Sequence, residues 1–171
     1  MTKKLIVPGF TVVELLVTLA IAAVMLGYAL PSFMGFMDQR NMTSRVNDFV
    51  LAVNYARSEA IKVGGTVSIQ AIDNADNGNE WGPGYCVVVG DPGNCNGVTL
   101  RTFFPIDDAT LNGINGFNTA DTLSFNSRGL LTTLVAAGEM QLCSTDITVD
   151  PGRSIFINPT GRASISELVC N

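Results

Sequence analysis

The chain has 171 residues, fifteen acidic against ten basic side chains, a formal net charge of −5 and no histidine. Without histidine there is no Ser-His-Asp or Cys-His nucleophilic site, and the commonest metal ligand is missing. No G-x-S-x-G, S-x-x-K or glycine-rich phosphate loop takes their place, so the chain reads as a non-enzyme with neither cofactor nor metal.

In chain order, Lys3 and Lys4 precede a long apolar run. Such a start resembles the basic end of a secretory signal, but the run is too long for one. Phe10 to Leu30 is 21 residues, about 31 Å as a helix, which matches a hydrocarbon core of about 30 Å. The positive-inside rule keeps the two lysines cytoplasmic. Pro31 lacks an N–H and bends or kinks a helix. Beyond it Val46, Phe49, Val50, Val53, Ala56, Ala60 and Ile61 recur at helical spacing, and Gly64-Gly65 stops the pattern. The spacing predicts one long helix over 10–63, transmembrane over 10–30 and kinked near Pro31. Its first half is apolar all round; its second half carries one stripe for docking.

From residue 64 the signals are short β runs between turn residues. Strands are predicted at Thr66–Ala71, Gly84–Val89, Thr99–Phe104, Thr122–Phe125, Leu130–Val135, Glu139–Cys143, Ser154–Ile157 and Ala163–Ser166. Asn77-Gly78, Asn96-Gly97, Asn112-Gly113 and Asn115-Gly116 read as turns between them. No second helix is evident. Cys86, Cys95, Cys143 and Cys170 form no C-x-x-C pair. In an exported chain they suggest two disulfides with three connectivities, the most local being Cys86–Cys95 and Cys143–Cys170. This 64–171 region has eleven acids against four arginines and repels a phosphate backbone at long range.

The stretch KKLIVPGFTVVELLVTLAI resembles the class III signal of type IV prepilins: a short basic leader, Gly9, Phe10, and a glutamate, Glu14, fifth after the glycine. Pro31 falls where pilin-type helices commonly bend. More scattered stretches, YARSEAIKVGGTVSI, WGPGYCVVV, LSFNSRGLLT and IFINPTGRASI, resemble GspH/FimT-type minor pilins and pseudopilins. The resemblance implies an α+β fold of pilin type, with antiparallel sheets packed on the C-terminal half of the long helix. It also implies that a prepilin peptidase removes the leader, 1–9, between Gly9 and Phe10 and N-methylates the new terminus. The remaining chain would sit in the inner membrane as a single pass, its β-rich domain periplasmic. Its partners would be other minor and major pilins or pseudopilins and the inner-membrane assembly platform, in a pilus or in type II secretion.

Glu14 has three readings: a signal-peptide oddity, an acid paired within its own helix, or an assembly handle. A carboxylate in a membrane span is functional by default. The resemblance implies that it neutralises the Phe10 amine of a neighbour in the filament. DNADNGNE (73–80) invites a calcium reading through Asp73, Asp76 and Glu80, but Ala75 and Gly84 stand where the EF-hand template needs ligands; a solvated turn is the better reading. Some FimT-type proteins are DNA receptors in natural transformation and carry a glycine-arginine motif with a second arginine two residues on. Here Gly161 and Arg162 match, Ser164 replaces the second arginine, and Arg153 is the nearby cation. Against the acidic balance, that site is the weaker reading.

Overall fold

A computed structural model describes residues 10–72, 80–106, 108–132, 137–145 and 152–170, with helix side chains described except at 29–35 and 38. The leader with Gly9, Asp73 and Asp76, the Asn77-Gly78 turn, residues 133–135 and the Pro31 side chain lie outside the described residues. The chain divides into two compact units, Met1–Asp38 and Gln39–Asn171.

Helix α1 spans Val12–Val63. Glycine ends it. Gly64 takes φ 65°, and the Gly65 N–H reaches back to the Ala60 carbonyl at 3.3 Å, a Schellman closure that a Cβ would strain. Lys62, in the last turn, pairs with Glu59 at 3.1 Å. The buried stripe is Met42, Val46, Phe49, Ala52, Val53, Ala56 and Ala60, at the 3–4 residue spacing of one helical face. Ile61, expected on that stripe, is 52% exposed; Met42 and Ala52 belong to it instead.

Among the described residues eight strands follow. They are β1 (Val67–Ala71), β2 (Tyr85–Val89), β3 (Thr99–Phe103), β4 (Ala109–Ile114), β5 (Thr122–Phe125), β6 (Gly138–Ser144), β7 (Gly152–Ile157) and β8 (Ala163–Leu168). Two four-stranded antiparallel sheets result, ordered β3-β2-β1-β5 and β4-β6-β7-β8. This is the α+β arrangement expected. One core draws on the α1 stripe and both sheets, with Trp81, Phe49, Phe117 and Phe125 among its largest buried side chains.

Every residue of β1 is buried. Val67, Ile69 and Ala71 join the core. Ser68 and Gln70 alternate to the other face, where the loop after β2 covers them. Ser68 donates to the Gly90 carbonyl at 2.6 Å and shares a 2.9 Å hydrogen bond with Ser124. Asp91 accepts from Gln70 at 3.2 Å and from Ser124 at 3.3 Å. The Cys86–Cys95 disulfide ties down that loop, and Cys143–Cys170 ties the C-terminal end to β6. Of the three connectivities, the structure takes the most local one.

Two local expectations fail. Asn112-Gly113 is no turn; it lies inside β4, paired with Gln141 and Met140. Glycine is needed at 113 because a Cβ would strike the Phe117 backbone. The turn expected at Asn115-Gly116, three residues on, is present, with φ 46° and 108° and the Phe117 N–H on the Ile114 carbonyl at 3.1 Å. The strand expected from Leu130 is, among the described residues, a single bridge from Leu131 to Phe125. The Leu131 N–H is drawn instead to the Pro159 carbonyl at 3.0 Å.

The two disulfides close segments of sequence separation 9 and 27, for which chain entropy gives about 2.7 and 3.6 kcal/mol. Replacing Cys143 and Cys170 by alanine lowers the urea midpoint more than replacing Cys86 and Cys95. Equal shifts in the two double variants would contradict this ordering.

Candidate functional site

The N-terminal helix begins with a cap the sequence spells as T-x-x-E. Thr11 precedes the first helical residue, and its hydroxyl accepts from the Glu14 N–H at 3.2 Å. The Thr11 carbonyl takes the Leu15 N–H at 3.2 Å. Glu14 therefore stands at N3 of a Thr11-capped helix, the Thr11 half of a capping box, where its charge also suits the positive end of the helix. That pattern was readable in the sequence and absent from the three readings given to Glu14. The two roles are compatible, since capping uses the backbone N–H and leaves the carboxylate outward.

From Val12 to Tyr28 every side chain is exposed. Leu15, Leu16, Leu19, Ile21, Val24 and Leu26 are each more than half exposed, and Phe10 is 79% exposed. Glu14 is the one ionisable acid or base in this run. A helix apolar all round needs cover, from lipid or from other helices. Among the described residues no helix is long and apolar enough to cross a membrane; described side chains stop at Tyr28, short of the Leu30 boundary expected for the span.

The arginines regroup. Arg153 opens β7 and lies 3.8 Å from Glu167, with a hydrogen bond to the Gly152 carbonyl at 3.0 Å. Arg162 lies beyond the far end of the same strand, more than about 13 Å along it. The structure does not bring them together. Arg162 closes the turn 158–162, where Asn158 Oδ1 accepts the N–H groups of Thr160 and Arg162 at 3.1 and 3.0 Å. Its neighbour is a second turn built alike. Asn126 Oδ1 accepts from Arg128 and Leu130 at 2.9 and 3.1 Å. Gly129 and Gly161 both take φ 72°, and Arg57 lies against both: a Cβ on either would come within 3.1 Å of its side chain.

Glu80, the described member of the calcium trio, spends its carboxylate on backbone donors, accepting from Gly82 and, at 3.2 Å, from Leu111. Among the described residues no cluster of three acids or cysteines is placed to hold a metal.

The family described as Type II transport protein GspH matches residues 45–161, from the buried stripe of α1 to the Gly161 turn. The chain belongs to this family. Its structure is similar to that of the type IV minor pilin FimU of Pseudomonas aeruginosa strain PAO1, with 26% identity and a TM-score of 0.59 over 72% of this chain and 91% of that one. A second FimU crystal structure gives 24% identity and a TM-score of 0.61, over 77% and 92%. The minor pseudopilin EpsH from the Type 2 Secretion System of Vibrio cholerae shares the fold at 14% identity and a TM-score of 0.50, over 75% and 97%. No curated protein matches the chain.

In this GspH-family domain one carboxylate is held apart from ordinary titration. Ser154 donates to Glu139, and Asn115 Nδ2 donates to it at 2.7 Å. These hydrogen bonds, Ser154 first, hold the carboxyl below the usual range against a small opposing effect of burial. Its stabilisation is present above the unfolded-state pKa and is lost as pH falls through the depressed folded value. Glu139→Gln is therefore less stable than the native chain at neutral pH. The gap closes in acid, below the ordinary glutamate range, as read from urea midpoints against pH; a gap that widened in acid would reverse the assignment.

Proposed function

We propose that this chain is a minor type IV pilin of FimT-like kind that assembles through its N-terminal helix into the tip or initiation complex of a pilus. Prepilin peptidase first cuts between Gly9 and Phe10 and methylates Phe10. The carrying observation is the helix from Val12 to Tyr28, apolar and exposed on every side, with Glu14 its one acid. In this reading residues 10–30 anchor the chain in the inner membrane, with residues 64–171 periplasmic. The helix then passes through the assembly platform to pack among other pilins.

Glu14 is the handle. Once Gly9 is gone, Phe10 carries a free amine within a helical turn of Glu14. In a filament the acid of an incoming subunit meets the amine of a neighbour. Breaking a desolvated pair leaves a buried charge uncompensated, at about 3–5 kcal/mol, which favours subunits docked in register. Similarity to the minor pilin FimU supports the pilus over the pseudopilus. The family's description, which names type II transport, supports the second reading, an H-type minor pseudopilin of type II secretion. DNA binding through Arg153, Gly161 and Arg162 is disfavoured by the separation of the two arginines.

Glu14→Val leaves leader cleavage intact and abolishes incorporation into sheared filaments; normal incorporation sinks the assembly role. Gly9→Val leaves the chain heavier by the mass of Met1–Gly9 on a denaturing gel. Deleting the gene removes pili and spares secretion of folded exoproteins; the reverse outcome selects the pseudopilin. In a low-salt gel-shift assay with the full chain in detergent, duplex DNA is not retarded. Retardation lost in Arg162→Ala would restore the DNA reading.

A further inference from the structure

At the free edge of the β3-β2-β1-β5 sheet lies a cavity of about 220 Å3 lined in part by Arg45, Asp48, Tyr85, Arg101, Phe103 and Phe104. Tyr85 is 2% exposed. Its ring is held edge-on to Phe49 at 5.3 Å and stacked on Phe103 at 4.8 Å. Among the described residues no protein group hydrogen-bonds its hydroxyl, which opens onto the cavity, where water reaches it. Burial first, and then the Asp48 carboxylate, push this phenol above its ordinary value, so it remains a neutral donor at physiological pH.

Among the described residues the cations around it are only weakly paired. Arg101 lies over the Phe103 ring at 4.9 Å and has no acidic partner among the described residues. Among the described residues Arg45 has one acidic partner, Asp108 at 4.0 Å, and that carboxylate is 58% exposed, so the pair is weak. Two guanidinium groups and one phenol thus face a space that holds about one side chain, in a domain otherwise acidic.

We infer that this cavity receives a single glutamate or aspartate side chain from a neighbouring protein subunit. A carboxylate matches two guanidinium donors and a phenol. The cavity's own acid, Asp48, sets the selectivity. It repels a doubly charged phosphomonoester more than a singly charged carboxylate and accepts a backbone N–H from the incoming residue. A nucleic-acid backbone, with one charge per phosphodiester, is disfavoured for a different reason: it needs a basic track that the acidic domain does not extend. Phe104, 82% exposed beside the opening, covers the stem of the entering side chain. Aromatic and arginine residues are the types that dominate binding energy at protein interfaces. That the neighbour is a filament subunit rests on the function proposed above; the carboxylate selectivity does not.

The test titrates acetyl-Ala-Glu-Ala-amide into the full chain in detergent micelles, with 15N-labelled arginine side chains. Acetyl-Ala-Gln-Ala-amide is the control. The glutamate peptide moves the Arg101 and Arg45 signals and the glutamine peptide does not. Arg101→Gln weakens binding by about tenfold or more. Tyr85→Phe, which keeps the ring stack, weakens it less but measurably. Equal responses to both peptides, an unchanged Kd in Arg101→Gln, or a stronger response of these arginines to a single-stranded oligonucleotide overturns the inference. In cells, Arg101→Gln lowers incorporation into filaments while leader cleavage is normal. Full incorporation of Arg101→Gln alongside failure of Glu14→Val removes the partner assignment alone. Full incorporation of both variants removes the filament reading, and the titration then decides the cavity.

Discussion

The seven small and apolar side chains from Met42 to Ala60 form one buried seam along α1. Phe49 is its centre, edge-on to Trp81 at 5.8 Å and to Tyr85 at 5.3 Å. Three alanines, Ala52, Ala56 and Ala60, flank it at 0% exposure, so sheet side chains approach the helix backbone closely. The seam shares one core with residues of both sheets. Removing Phe49 would open a cavity under the aromatic cluster, a change of the kind that costs several kcal/mol in packed cores.

The same helix changes character along its length. Its later half has one apolar face and its early half has apolar faces all round. The later half is satisfied within its own chain; the early half is not, and it is there that assembly is proposed to occur. A single acid in such a run is tolerable at the first turn, because Thr11 caps the helix and the positive end favours the charge. The position of Glu14 is thus sound for the helix before any partner arrives.

Glycine and the disulfides settle the rest of the surface. Arg57 threads between the Gly129 and Gly161 turns, where side chains at either position would collide with its stem. That contact places two arginine-bearing turns side by side and leaves Arg153 at the distant end of β7. The Cys86–Cys95 loop lays Gly90 and Asp91 over Ser68, Gln70 and Ser124, so a face that β1 presents as polar is nevertheless buried. Polar residues at alternate strand positions ordinarily signal solvent; here they signal a covering loop.

The sequence by itself determined the long helix, its glycine stop, seven of the eight strands described and the family, while it left three disulfide connectivities open. Each follows from interactions within a few residues or from a periodicity that local spacing displays. Only the tertiary structure decided that Asn112-Gly113 belongs inside β4, because the reason for glycine there is Phe117 packed across it. It alone separated Arg153 from Arg162, set Arg57 against the Gly129 and Gly161 turns, and assembled Arg45, Tyr85 and Arg101 around one cavity. Those residues are joined by strand order and register, set by burial over the whole core. No local pattern records which distant side chains a shared core will bring face to face.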